Sequence, residues 1–247
     1  MRRQADKDGG EIVTATLGIR NDKDSAYGAD TTAQAGLEFR PSSNLLFRGA
    51  YSEAFKAPGL AQAFAAEQTN DLSIFISQDP RRPNDTVAGL ASFKQLPLKA
   101  ESGRSSNLGI VWEPVVGQGR ELRTSVNAWK INVDNQIQFL FPDAILANES
   151  LFSNLVVRAP AQGTVPGSLL EVIYGYVNVA KFSVRGVDAA ANMSFASPMG
   201  RLSLGAAVTR TLSFESALTP NAPLTSRLSV ADTTGWRRVG KAISLLG

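Results

Sequence analysis

Seven stretches of this chain place apolar and polar residues on alternating positions, and short and long connections alternate between them. Val13, Ala15, Leu17 and Ile19 share one parity, and Thr14, Thr16, Gly18 and Arg20 share the other. Successive side chains of a strand point to opposite faces, so such a segment has one apolar and one polar face. In the next segment Ala33, Ala35, Leu37 and Phe39 stand against Thr32, Gln34, Gly36, Glu38 and Arg40. Leu45, Phe47, Gly49 and Tyr51 then oppose Leu46, Arg48, Ala50 and Ser52, and Leu108, Ile110 and Trp112 oppose Asn107, Gly109, Val111 and Glu113. Leu46 and Val111 are the apolar exceptions. The split returns at Leu122, Val126 and Ala128 against Arg123, Ser125 and Asn127, and at Val187, Ala189, Ala191, Met193 and Phe195 against Asp188, Asn192 and Ser194. Leu202, Leu204, Ala206 and Val208 against Arg201, Ser203, Gly205 and Thr209 complete the set, with a weaker eighth segment around Leu224 to Val230.

The connections sort into two kinds. PSSN follows Arg40, PVVGQGR follows Glu113 and ASPMG follows Phe195, all rich in turn residues. The others are about ten residues after Arg20, roughly forty-odd from Lys56 to Ser102, and roughly forty from Asn135 to Tyr174. Loops that long are uncommon in compact domains and are usually functional. Strict alternation lets every short turn sit at one end of the sheet and every long loop at the other. The expected fold is therefore all-β: an antiparallel transmembrane β-barrel with short periplasmic turns and long extracellular loops. The segments, about nine to fifteen residues long, suit tilted spanning strands of about nine to eleven better than the usual five or six. Their polar face of Thr, Ser, Asn, Gln and Arg suits a lumen, and Trp112 and Phe195 fall where an aromatic girdle would. Two other folds share the pattern. One is a soluble β-sandwich, such as a carbohydrate-binding module, with one face packed and one solvated. The other is a self-contained small barrel of porin or adhesin type, which inward residues as small as Thr14, Ser52, Ser125 and Gly205 would leave underfilled.

Composition narrows the chemistry. The 247 residues include no Cys and no His, which removes thiol nucleophiles, cysteine metal sites, the usual general base and the commonest metal ligand. No paired-carboxylate motif stands out, so no enzyme, cofactor or metal site is expected. The net charge of +3 is spread along the chain, without the basic stripe of a nucleic-acid binder. No apolar run is long enough for a membrane-spanning helix. MRRQADKDGGE has a charged start with no apolar stretch behind it, so it does not read as a signal peptide. GQGREL lacks the third Gly of a dinucleotide fingerprint and reads as a turn, and the acids of NDKDSAYGAD do not have the spacing of a calcium loop.

Four motifs, in order along the chain, carry a resemblance. NLLFRGAYSEAFKAPGLAQAF places Arg48, Tyr51, Ser52, Phe55, Lys56, Ala57, Pro58 and Leu60 as in a barrel segment of the TonB-dependent outer-membrane receptors. AESGRSSNLGIVWEP is similar to a later strand of that family through Glu101, Ser102, Leu108, Gly109 and Pro114. VNAWKINVDNQI resembles the strand after it, and YVNVAKFSVRGVDAAANMSF matches a further one through Asn178, Gly186 and Asp188. The resemblance runs from about Glu11 to Phe214.

Such receptors sit in the outer membrane of Gram-negative bacteria. Their barrel of about 22 strands is preceded by a signal peptide and a plug domain that contacts the TonB complex. Neither is recognisable here, so residues 1–247 are expected to be one partial barrel domain, about 8 of those strands, and a fragment inactive as a transporter by itself. The resemblance implies outer-membrane lipid as surroundings, TonB as a partner through the missing plug, and uptake of a scarce small molecule of the siderophore, cobalamin or oligosaccharide class. Binding residues concentrate on loops carried by a rigid scaffold. The expected solute contacts are therefore Phe64, Phe75, Phe93, Phe139, Phe141 and Phe152 for apolar or stacking contact, and Arg81, Arg82 and Lys94 for an anionic chelate.

Overall fold

The computed structural model describes residues 4–5, 11–24, 28–117, 119–197, 200–217, 223–228 and 242–246. In chain order the strands are β1 (Gln4–Ala5), β2 (Glu11–Asp24), β3 (Gly28–Ser42), β4 (Leu45–Lys56), β5 (Gln68–Asp71), β6 (Leu90–Phe93), β7 (Glu101–Trp112), β8 (Arg120–Leu140), β9 (Val156–Arg158), β10 (Leu169–Ser197), β11 (Gly200–Ala217), β12 (Thr225–Ser226) and β13 (Ala242–Leu246). The seven alternating segments are the seven long strands. With the short β1 and β12 at either end they lie side by side in the order β1-β2-β3-β4-β7-β8-β10-β11-β12, antiparallel at every step, with β13 also on β11. Among the described residues the sheet does not close, so the fold is part of a barrel wall.

Register places the two parities on opposite faces across the whole wall. One outward row runs Val13, Phe39, Phe47, Ile110, Val126, Ala189, Val208 through direct cross-strand partners. The large apolar side chains of this face have no protein layer over them: Val126 is 51% exposed in this row, and Leu17 and Leu108 in neighbouring rows are 84% and 72% exposed. A water-soluble sandwich buries its apolar face, whereas this one is bare, as a lipid-facing wall must be. Along β10 the apolar outward positions from Val187 to Phe195 cover nine residues, within the ~9–11 that a tilted strand needs to cross a bilayer. The two exceptions to the alternation explain each other: Leu46 and Val111 are cross-strand partners on the inward face and both are buried.

Strands run beyond their alternation, because hydrophobic period reports only the lipid-facing part while the backbone ladder continues past it. The ten-residue connection expected after Arg20 is thus mostly strand, with pairing from Arg20↔Thr32 to Asp24↔Gly28. Likewise the loop expected from Asn135 to Tyr174 starts after Leu140 and ends before Leu169. Asn135 marks the change with a positive φ of 56°, a left-handed conformation Asn accepts more readily than most residues. Of the eighth expected segment only Thr225–Ser226 is strand, and residues 229–230 lie outside the described residues.

Candidate solute-facing site

The two long loops fold together into one module over the ends of β8 and β10. Residues 57–100 contribute α1 (Leu60–Ala63), β5 and β6, and residues 141–168 contribute α2 (Pro142–Ala147) and β9. β6 lies parallel to the start of β10, with β5 on β6 and β9 also on β10. Leu72, Ile145 and Val172 are fully buried, and Phe93, Leu146, Phe152, Leu155 and Tyr174 pack around them. Each loop alone is too short to enclose a core; laid on the protruding strands, the pair encloses one.

A charged clasp joins the two loops. Arg158 Nη1 and Nη2 donate to Asp79 Oδ2 and Oδ1 at 2.6 and 2.9 Å, while its Nε and Nη2 donate to Glu149 Oε1 and Oε2 at 2.8 Å each. Arg158 Nη1 also donates to the Gly167 carbonyl, and Arg81 Nη1 adds a bond to Glu149 at 3.1 Å. All three groups of the clasp are nearly out of solvent. Burial pushes the Asp79 carboxyl up, but hydrogen bonds from Arg158 and the Arg81 amide outweigh it and leave it below its ordinary value. Arg158 holds Glu149 below its ordinary value as well, against the opposing effect of burial.

The motif residues hold this module to the wall. Asn178 Nδ2 donates to the Lys99 and Asn135 carbonyls at 2.8 and 2.7 Å, and its Oδ1 accepts from the Lys99 amide at 2.7 Å. Glu101 Oε1 accepts from the Ile137 amide and pairs with Lys56. The returning end of the first loop is thereby stapled to the irregular stretch of β8 and β10. Lower on the inward face, Thr14, Glu38, Arg48, Gly109, Asn127, Asp188 and Thr209 form one continuous row of cross-strand partners. Arg48 reaches over β7 to the Asn127 amide oxygen at 2.7 and 3.2 Å. A Cβ on Gly109 would stand 2.3 Å from that oxygen, so the glycine leaves the arginine its path. Gly186 serves the neighbouring position: a Cβ there would meet the Trp129 ring at 2.5 Å and the Arg210 carbonyl at 2.7 Å. Thr14, Glu38, Arg48, Asn127 and Asp188 of this row line an inward trough of about 730 Å³. Of the other motif residues, Ser52 hydrogen-bonds Ser105 across the strand pair at 2.7 Å and Tyr51 donates to Glu53. Phe55 and Ser102 are register partners, Ala57 and Pro58 lead from β4 into α1, and Pro114 opens a short turn.

The expected solute contacts divide by exposure. Phe93 and Phe152 are buried in the module's core, and Phe75 packs against Tyr174 at 5.1 Å. Phe139 lies on β8 rather than in a loop and stacks among Phe93, Phe141 and Tyr176. Phe64 and Phe141 remain exposed. The cations are matched internally: Arg81 with Glu149, Arg82 with Asp85, and Lys94 with Glu171 at 2.7 Å. Asp79, Glu149 and Arg158 escaped the sequence reading because no spacing marks them; Asp79 and Arg158 are 79 residues apart. Among the described residues no group of three or more His, Cys, Asp or Glu could hold a metal ion.

An apolar band outside, a polar trough inside and folded loops at one end define a transmembrane β-barrel wall. The sequence matches the family model of the TonB-dependent receptor-like β-barrel over residues 10–244, and the chain belongs to that family. Its members are integral outer-membrane receptors rather than a class of enzymes, which places this wall in the outer membrane. Among solved structures, a ferric enterobactin receptor from Pseudomonas aeruginosa in complex with enterobactin aligns with 18% identity and a TM-score of 0.52. That alignment covers 81% of this chain and 25% of that one. The siderophore receptor PirA from Acinetobacter baumannii aligns with 13% identity and a TM-score of 0.50, covering 84% of this chain and 27% of that one. Likeness at these identities is one of fold, and the chain spans about a quarter of either receptor's length. No curated protein matches the sequence.

Proposed function

We propose that this chain supplies a section of wall and two outer loops to a receptor that takes up a scarce solute across the outer membrane. Energy would come from TonB acting on a plug that belongs to the parent receptor. Within the expected classes of siderophore, cobalamin and oligosaccharide, a ferric siderophore is favoured, because both structural neighbours above are siderophore receptors. The observation that carries the reading is the loop module, a folded body at the long-loop end in which Arg81, Arg82, Lys94 and Arg158 are paired internally while Phe64 and Phe141 stay open. Exposed aromatic rings on a body whose arginines are spent internally suit stacking against planar, aromatic chelating groups. The chain folded in detergent micelles is expected to bind ferric enterobactin or another ferric siderophore, read by quenching of tryptophan fluorescence. The F64A/F141A double variant is expected to bind roughly tenfold more weakly. Equal affinity of the double variant, or tighter binding of cobalamin than of every ferric siderophore, would overturn the assignment.

A further inference from the structure

On the outward face, immediately above the apolar band, the residues change character within one row. Tyr51, Ser106, Lys130, Arg185 and Ser213 are successive cross-strand partners. The row below them is Gly49, Leu108, Ala128, Val187 and Arg210. Lys130, Arg185 and Arg210 therefore project from three adjacent strands on the same side of the wall, neighbouring strands' cations about 5–8 Å apart and the outer two about 12 Å apart by ordinary strand spacing. All three are exposed, and among the described residues none has an ion-pair partner. Their neighbours do not neutralise them: Arg104, one row higher, is spent on Asp134 at 2.6 Å, and Glu53 accepts from Tyr51 and the Ala33 amide. Glu215, opposite Ser183, is the nearest carboxylate on β11 without an ion pair.

Lys130 and Arg185 are direct partners in the β8–β10 register. Like charges set directly opposite on one face destabilise a sheet, and most of the outward face here is apolar, which makes the placement costly unless an anion bridges the pair. Their height selects the anion. The cluster stands at the border of the apolar band on the side of the long loops, level with Tyr51, where lipid headgroups lie. We propose that Lys130, Arg185 and Arg210 form a binding site for the phosphate of a lipid headgroup in the leaflet on the loop side. The acyl chains of that lipid run down the wall over Leu108, Val187 and Val208. Charge attraction and apolar contact then act on one molecule, and a free anion would gain only the first. The site is separate from the solute face, so it stands or falls independently of the ligand assigned above.

The test is binding of lipid A, which carries phosphate monoesters, doped into phosphocholine micelles holding the folded 247-residue chain. Dephosphorylated lipid A and inorganic phosphate serve as separate arms. The chain is expected to bind the phosphorylated lipid in preference to both. Each of K130Q, R185Q and R210Q is expected to weaken binding about fivefold, from the ~1 kcal/mol a basic residue contributes near an anionic membrane surface, and the triple variant more than fiftyfold. The charge-keeping K130R/R185K variant is expected to retain affinity, which separates loss of charge from loss of fold. Unchanged binding by the single variants, equal binding of the dephosphorylated lipid, or inorganic phosphate binding as tightly as the lipid would each overturn the proposal.

Discussion

Replacing Arg158 with Met is expected to open the loop module while leaving the wall intact. The substitution leaves Asp79 and Glu149 buried without their shared cation, and breaking a buried ion pair by removing one partner costs about 3–5 kcal/mol. A module whose core rests on two loops and two strand ends has little reserve against such a loss. Amide exchange in residues 68–93 and 142–158 is expected to rise together, with β2 to β4 still protected. Acid should reproduce the effect. Asp79 and Glu149 lie below their ordinary values in the folded chain, so their contribution is complete above the ordinary carboxylate range, ~4. It is lost as pH falls through the depressed values. Protection of both loops is therefore expected to persist at pH 5 and to fail together in stronger acid. Separate opening of the two loops, or R158M behaving as the unaltered chain, would show that the clasp does not join them.

A second large effect is expected at Val126. This side chain points outward from β8 between Ile110 and Ala189, inside the apolar band. In lipid vesicles V126R is expected to destabilise the wall by about 2–4 kcal/mol, the cost of an arginine near the bilayer midplane of a barrel. N107R on the adjacent strand faces the trough, where water solvates the new charge, and is expected to change stability little. Urea titration of both variants in vesicles gives the comparison, and equal effects would mean that the two faces do not differ in solvent.

The wall was legible in the sequence because a period of two survives in each strand without knowledge of its partners. Its ends were not, since β8 and β10 continue past the lipid, where polar residues pair as readily as apolar ones. The motif residues were visible as a set, but their tasks depend on register. Arg48, Gly109 and Asp188 lie far apart in sequence, yet one row on the inward face unites them. The loop core was hidden for a different reason. Leu72, Ile145 and Val172 follow no common period, and they become neighbours only once two connections fold onto the same strand ends. The same pairing took Phe93 and Phe152 inside and left Phe64 and Phe141 open.

The central claim is that the two faces of this sheet meet different media, lipid outside and the lumen inside. Trp112 ends β7 on the outward face, and Trp129 lies on the inward face of β8 beside Gly186. Two single-tryptophan forms, W129F/W236F and W112F/W236F, can be folded into vesicles whose acyl chains carry bromine. Quenching of Trp112 by the brominated chains, with Trp129 left bright, is the expected result. Equal quenching of both tryptophans, or quenching of Trp129 alone, would contradict the account.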